Sequence, residues 1–347
     1  MSTPARDGFH MPGEWHPHRR CWMAWPVGDR LWGENTAQAH AAFVAVVRAI
    51  SRFEPVTMLV NPADAANARA LLGEAATVIE VDFDDSWFRD SGPSFVIDGT
   101  GSVAGVDWVF NAWGNRQPHE RDAALAGWLL QREGLARYAS PLVNEGGAIH
   151  VDGEGTMLAV ETTVPNPNRN PGLGRADIER ELCAATGCTK VIWLPGGLDG
   201  DYGPVGTDGH IDTVACFARP GVVLAQVTRD PADSDYETLQ ANLAILKAST
   251  DAQGRRLEIV EIEQPARRED HATGGRLPMS YVNFYLAGTP GGPQGLVLPV
   301  YDDPADAPAI ATLQRAFPER EIVTIPGTIL FEGGGGVHCI TQQEPAA

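Results

Sequence analysis

Positive charge is scarce in this chain. Its 347 residues carry 26 Lys and Arg against 45 Asp and Glu, a formal net charge of −19. That balance excludes a general nucleic-acid surface, which needs a basic face to meet phosphates, and suits the attraction of a small cation. Long apolar runs are missing too. No stretch approaches the ~20 residues of a membrane span, and Met1 to Gly13 lack the apolar core of a secretion signal, so no membrane contact and a cytoplasmic setting are expected. Cysteine is sparse, odd in number and widely spread, five in all, which excludes a disulfide framework and leaves reduced thiols. The one close pair, Cys183 and Cys188, ends a helical stretch with no second pair or histidines at zinc spacing, and reads as helix packing. His10, His16 and His18 lie in a proline-bearing segment, and no metal site is expected from them.

What is present is a hydrophobic fraction of 43%, ample for a buried core, and 1–347 reads as one domain. Near the C-terminus, where fraying is the norm, stands Glu332-Gly-Gly-Gly-Gly-Val-His338-Cys339-Ile-Thr-Gln-Gln343. Four glycines ending on a His-Cys pair and a β-prone segment are a way to present a nucleophile, provided a base or positive charge nearby ionises the thiol.

Periodicity divides the chain into units of two strands, a helix and a strand. Ser94–Ile97, Val103–Phe110 and a helix near His119–Arg132 open the series. Strands Ala148–Val151 and Met157–Thr162, helix Arg175–Thr186 and strand Lys190–Leu194 follow. A third unit has a hairpin of Ile211–Ala218 and Val222–Val227 across Arg219-Pro-Gly221, a helix over Tyr236–Ser249 and a strand Leu257–Ile262. A fourth has Tyr281–Ala287, Leu296–Val300, a helix Pro308–Phe317 and Glu321–Ile325. The fifth begins at His338-Cys-Ile-Thr341 and is completed from the other end of the chain by Cys21–Trp25, a helix Thr36–Phe53 and Val56–Val60. The pattern predicts five ββαβ units around a pseudo-fivefold centre, an α/β propeller closed by pairing the N- and C-terminal segments.

Each unit opens with polar residues beside glycine: Trp87-Phe-Arg-Asp90-Ser-Gly92, Asn144-Glu145-Gly-Gly147, Asp208-Gly-His210-Ile-Asp212, Ser280-Tyr-Val-Asn283 and Gly336-Val-His338-Cys339. Any one of them alone is an ordinary turn or loop. Together, placed at the same end of five first strands, they bring Asp90, Glu145, His210, Asp212 and Cys339 to one axis. His210 and Asp212, on alternate residues of a strand, share a face, which leaves His210 to act as acid and base. Carboxylates need a cation, and a planar guanidinium fits two of them, so Asp90 and Asp212 can hold one while its central carbon faces Cys339. Trp87 adds an aromatic face for the cation.

These residues resemble those of the agmatine deiminases and the related bacterial peptidylarginine deiminases, within the guanidine-modifying pentein superfamily. The resemblance spans nearly the whole chain. It includes Met11-Pro-Gly-Glu-Trp15, Trp87–Pro93, Asn144–Gly155, Asn168-Arg-Asn-Pro-Gly172, Thr207–Asp212, Ser280–Tyr285 and Gly333–Gln343. It implies a five-bladed α/β propeller, no cofactor, and hydrolysis of a guanidine to a urea and ammonia, which for agmatine gives N-carbamoylputrescine on the way to polyamines. It also implies roles: Cys339 as nucleophile, His210 as general acid and base, Glu145 as the carboxylate that orients and charges His210, and Asp90 with Asp212 as the guanidinium clamp. Trp87 and Gly336 would border the substrate. The expected partner is a small cationic guanidino compound, and a homo-oligomer, dimer or tetramer, is compatible with the pattern.

The chain departs from the family pattern at Gly206. Four residues before the histidine, family members carry an acid that meets the distal amine of agmatine. Asp199 and Asp201 remain as substitutes from a reshaped loop, or the substrate has a different tail. Amidino transfer to an amine on the same scaffold is the rival chemistry. A nucleotide-binding module is the rival class, disfavoured because the glycine runs lack a P-loop lysine and a strand-to-helix Gly-x-Gly-x-x-Gly context.

Overall fold

The computed structural model describes residues 2–27, 32–269 and 274–347. Among the described residues, four three-stranded sheets and one four-stranded sheet make up the β-structure, and no strand passes from one to the next. Ser94–Ile97, Val103–Val109 and Ala136–Val143 form the first; Ile149–Val151, Thr156–Val160 and Lys190–Leu194 the second; Ala215–Arg219, Val222–Val227 and Glu258–Glu263 the third; Tyr285–Gly288, Gln294–Val300 and Glu321–Pro326 the fourth. In each, the first two strands are antiparallel and the third lies parallel to the second. A parallel neighbour cannot be reached through a tight turn, so each pair needs a crossover. The helices Asp122–Glu133, Arg175–Thr186, Tyr236–Ala248 and Asp306–Ala316 supply it.

The fifth sheet joins the chain ends. Thr341–Pro345 runs antiparallel to His18–Ala24, which runs parallel to Val56–Val60 after the helix Thr36–Ile50. A further helix, Ala65–Leu72, leads to an added strand, Thr77–Glu80. The tail is held electrostatically as well as by the ladder. Glu344 is fully buried, and its carboxylate accepts from Trp22 Nε1 and Arg19 Nη1, both at 2.8 Å, with Arg20 Nε at 3.3 Å. A buried carboxylate requires such partners, so the terminal segment is fixed rather than frayed.

The helix Thr36–Ile50 shows why the periodic reading works. Its positions 39, 43, 46, 47 and 50 are all fully buried against the sheet formed by the chain ends, in the three-four spacing of one helix face. Apolar side chains are likewise buried between neighbouring units; Val96, Val106 and Trp108 of the first pack with Ile149, Val151, Ile178 and Leu182 of the second. The result is the expected five-bladed α/β propeller of ββαβ units closed by the chain ends.

Two features of the sequence reading need correction. The strand Ala136–Val143, which completes the first unit, has few buried positions and gives a weak apolar signal. Thr77–Glu80 is similar. The first strands of the third, fourth and fifth units also start later than expected, at Ala215, Tyr285 and Thr341. His210 and Asp212 therefore do not alternate on a strand: His210 caps a single 3₁₀ turn, Ile211–Thr213, and Asp212 lies within it. The backbone before them prevents an earlier start, because Asp208 and Gly209 both take positive φ, 65° and 97°.

Candidate active site

In all five units the polar signature occupies the turn that precedes the first strand, and these turns bond to one another around the centre. The Gly147 amide donates to Asp90 Oδ1 at 2.8 Å, joining first and second units. Glu145 Oε2 lies 3.6 Å from His210 Nε2, joining second and third. Asn283 Nδ2 donates to the Asp212 carbonyl at 3.3 Å, joining third and fourth. The His338 amide donates to Asn283 Oδ1 at 3.0 Å, joining fourth and fifth. The Arg89 amide donates to the Cys339 carbonyl at 3.1 Å and closes the ring.

Gly147 marks how tightly the hub is drawn. A Cβ at this position would stand 2.6 Å from His210 Nδ1, 2.9 Å from Asp90 Oδ1 and 3.0 Å from Asp212 Oδ2. Three polar side chains thus converge over a residue that has no side chain of its own. A cavity of about 130 Å³ opens beside them, lined by Trp87, Asp90, Trp113, Asp201, His210, Asp212, Gly333, Gly334 and Cys339 among others. Glu145 is fully buried behind His210, and Gly336 lies behind the thiol, its amide directed at Sγ from 3.4 Å, whereas the glycines lining the cavity are Gly333 and Gly334.

Cys339 Sγ receives Asn283 Nδ2 at 3.3 Å and faces Asp212 Oδ2 at 3.4 Å, to which its proton is directed. Burial pushes this thiol well above its usual range, Asp212 and Asp90 push it further, and the Gly336 amide and Asn283 oppose them only in part. Burial works against a charged His210, but Asp90, Glu145 and Asp212 outweigh it and raise the histidine to about 9. The imidazolium stands 3.7 Å from Asp90 and 3.6 Å from Glu145.

The carboxylates differ. Burial raises Asp90; His210 pulls it back, Asp212 and Glu145 push it up again, and the Trp113 indole, whose Nε1 donates to Oδ2 at 2.9 Å, lowers it least. For Glu145, burial is overcome by Arg169, whose Nε donates at 2.8 Å with both side chains fully buried, and the carboxyl is held low. Burial of Asp212 is likewise overcome by His338, which bonds Oδ2 at 2.8 Å, while Asp212 Oδ1 has no hydrogen-bond partner. That orphaned, buried oxygen is suited to an arriving N–H donor.

Gly206 is no mere absence of an acid. A Cβ there would meet the Asp201 carbonyl oxygen at 2.0 Å, so the local backbone excludes any side chain. The loop instead turns Asp201 into the cavity, with Oδ2 accepting from Thr213 at 3.0 Å; burial, reinforced by Asp212 and Asp235 against the pull of His210, raises it to about 7. Asp199 does not line this cavity.

Several residues at the site escaped the sequence reading. Trp113 and Arg116 are presented by a left-handed turn, with φ of 49°, 55°, 98° and 61° at Ala112, Trp113, Gly114 and Asn115. Asn111 stabilises it, its Oδ1 accepting from the Gly114 amide at 2.9 Å. Such strain costs of order 1–2 kcal/mol per non-glycine residue and is typical of functional sites. Asn111 before Gly114 was the available signal. Arg116 is engaged by Asp208 Oδ1 at 2.7 Å and by the Gly206 carbonyl. Arg169 lies within Asn168–Gly172 and Glu14 within Met11–Trp15, two motifs whose chemistry the sequence left unassigned.

A buried thiol, a charged histidine and paired carboxylates at the hub of five ββαβ blades define a guanidine-modifying enzyme of the pentein class, a hydrolase acting on guanidino C–N bonds. The comparisons narrow this. Residues 10–345 match the Porphyromonas-type peptidyl-arginine deiminase family, to which the chain belongs. It is 49% identical to a protein of Streptomyces avermitilis provisionally named agmatine deiminase, over 99% of both chains. It is 45% identical to agmatine deiminase of Pseudomonas aeruginosa over 99% of this chain and 98% of that one. Among solved structures, agmatine deiminase of Enterococcus faecalis superposes with a TM-score of 0.94 at 36% identity, covering 100% of this chain and 98% of the other.

Proposed function

We propose that this protein hydrolyses agmatine to N-carbamoylputrescine and ammonia, with Cys339, His210, Glu145, Asp90 and Asp212 as the residues that carry the reaction. The observation behind this reading is the approach of a thiol, an imidazolium and two carboxylates to one buried cavity with an acidic lining. The guanidinium lies between Asp90 and Asp212, each accepting N–H donors, with Trp87 against the cation. Its positive charge offsets the two carboxylates that hold the thiol protonated, so the substrate favours ionisation of Cys339, whose proton is released to solvent as the cation binds.

The thiolate then attacks the guanidinium carbon. The C–N bond to one terminal nitrogen breaks, and that nitrogen leaves as ammonia with the proton His210 donates. The S-alkylthiouronium left on Cys339 is attacked by water, whose proton goes to the now neutral His210. The C–S bond breaks to give the ureido product and regenerate the thiolate. Glu145, charged by Arg169, keeps His210 oriented and able to hold a proton.

Agmatine is favoured over a substrate with a carboxylate tail because the far side of the cavity also carries Asp85 and Asp201, while its cation Arg116 is occupied by Asp208. Asp201 takes the distal amine in place of an acid at 206. The reaction is assigned to the cytoplasm; among the described residues no helix is long and apolar enough to cross a membrane. Incubation with agmatine, arginine, guanidinobutyrate and peptidyl-arginine, with ureido product and ammonia measured together, tests the assignment. Equimolar ammonia and carbamoylputrescine from agmatine alone is expected. Preferential turnover of arginine or guanidinobutyrate refutes the substrate, and amidino transfer to an added amine without ammonia refutes hydrolysis.

A further inference from the structure

The Met11–Trp15 motif lies far in sequence from every residue assigned above, yet its Glu14 reaches the hub. His338, the neighbour of the nucleophile, bridges two carboxylates: its Nδ1 is 2.8 Å from Asp212 Oδ2 and its Nε2 is 2.8 Å from Glu14 Oε1. An imidazole with a carboxylate on each nitrogen can satisfy both only by donating twice, which requires the imidazolium. All three side chains are buried, so water does not substitute for either bond.

The other groups facing His338 are accounted for. Arg89 packs from the first unit, donating Nε to the His338 carbonyl at 3.2 Å and Nη1 to Glu14 Oε1 at 3.4 Å. His150 faces from the second unit with ring centroids 6.4 Å apart; its Nδ1 accepts from the Phe217 amide at 3.2 Å, so its Nε2 proton points toward Glu14 Oε2, 3.6 Å away. The Cys339 thiol adjoins it in sequence, and the buried Cys216 thiol feels the charges of both Glu14 and Asp212. Burial and Arg89 disfavour charge on His338, and Glu14 and Asp212 outweigh them.

We propose that Glu14 and His338 are a positioning pair for the reaction: His338, held as an imidazolium between two carboxylates, keeps Asp212 ionised and aimed, and so makes it one half of the guanidinium clamp. Neither residue touches the substrate. Asp212 faces two other carboxylates across the hub, and a protonated Asp212 would not hold a guanidinium. Glu14 confers the charge on His338, and His338 passes its effect to Asp212 through one hydrogen bond. The opening segment of the chain, tied to the fifth blade by pairing of the chain ends, thereby becomes part of the active-site assembly.

This inference rests on the proposed deiminase reading, and three measurements separate the two. Nitrogen-15 NMR of His338 in the wild-type protein reads its protonation without substrate; imidazolium shifts maintained at pH of about 8 are expected. His338→Asn keeps a donor toward Asp212 but removes the charge, and Glu14→Gln removes the carboxylate that charges His338. With melting and circular dichroism as folding controls, both variants are expected to raise KM for agmatine by about 10–100-fold, more than kcat falls. Both are also expected to move the acid limb of kcat/KM to higher pH, because a carboxylate deprived of its cation takes up a proton sooner. A neutral His338 in the wild type, or folded variants with wild-type KM and acid limb, overturns the proposal. If His338→Asn does not fold, a folded Glu14→Gln with an unmoved limb overturns it alone. Failure of the wild type to turn over any guanidine would overturn the deiminase reading instead.

Discussion

Replacing Gly147 by alanine adds one methyl group at the point where the site is tightest. The backbone there has no positive φ, so the substitution tests space alone. The new Cβ would lie 2.6 Å from His210 Nδ1, 2.9 Å from Asp90 Oδ1 and 3.0 Å from Asp212 Oδ2, against ordinary contacts of about 3.5–4.0 Å. None of the three can retreat freely. Asp90 is fixed by the Gly147 amide and the Trp113 indole, and Asp212 by His338. Each must therefore shift by roughly 0.5–1 Å, and a displacement of about 1 Å at a reacting centre typically costs about 100-fold in rate. Overpacking of this kind destabilises by about 1–3 kcal/mol, so the protein remains folded. Ammonia release from agmatine and a thermal melt, with Gly99→Ala as a control where an added Cβ meets nothing within 4 Å, check both expectations. A folded Gly147→Ala variant with wild-type kcat/KM would refute the convergence of His210, Asp90 and Asp212 on the reacting group.

Further outcomes follow from the electrostatics and the loop. Arg169→Met strands Glu145 in full burial, since the bond at 2.8 Å is lost. A stability loss of about 3–5 kcal/mol is expected from denaturant unfolding, and a loss under about 1 kcal/mol contradicts the pairing. The folded state raises His210 to about 9 against burial, through Asp90, Glu145 and Asp212. Its contribution is thus fully present below the unfolded value of ~6.5 and lost as pH rises through the folded value; of order 3 kcal/mol separates the wild type from His210→Gln on the acidic side. A wild-type-to-variant difference that stays flat from about pH 6.5 to 9 argues against the charged histidine. Gly206→Glu, which on the family pattern alone would improve agmatine binding, is expected to lower the melting temperature and raise KM, because its Cβ strikes the Asp201 carbonyl at 2.0 Å. A lowered KM would show that Asp201 does not occupy that role.

The architecture was readable because each blade repeats one hydrophobic rhythm and because Cys339 in a C-terminal tail demanded a partner strand, which Cys21–Trp25 supplied. The strands Ala136–Val143 and Thr77–Glu80 were not, since edge strands with half-exposed faces carry little apolar alternation. Recurrence beside glycine pointed to Asp90, Glu145, His210, Asp212 and Cys339, which the fold does bring together, but the local geometry was misjudged at His210 and Asp212, where Gly209 breaks the extended chain before the strand. Trp113 and Arg116 owe their place to a left-handed turn that no periodicity announces. Glu14 and Arg169 act through charge over long sequence separations, and a single sequence does not show which acid meets which cation.

If Cys339 is the nucleophile, a covalent species must form on it during turnover. Rapid acid quench of the enzyme with agmatine, followed by mass spectrometry of the peptide containing Cys339, should reveal an adduct of agmatine less ammonia that decays as carbamoylputrescine accumulates. Turnover with Cys339 unmodified throughout, or with the adduct on another residue, or ammonia release undiminished in Cys339→Ala, would contradict it.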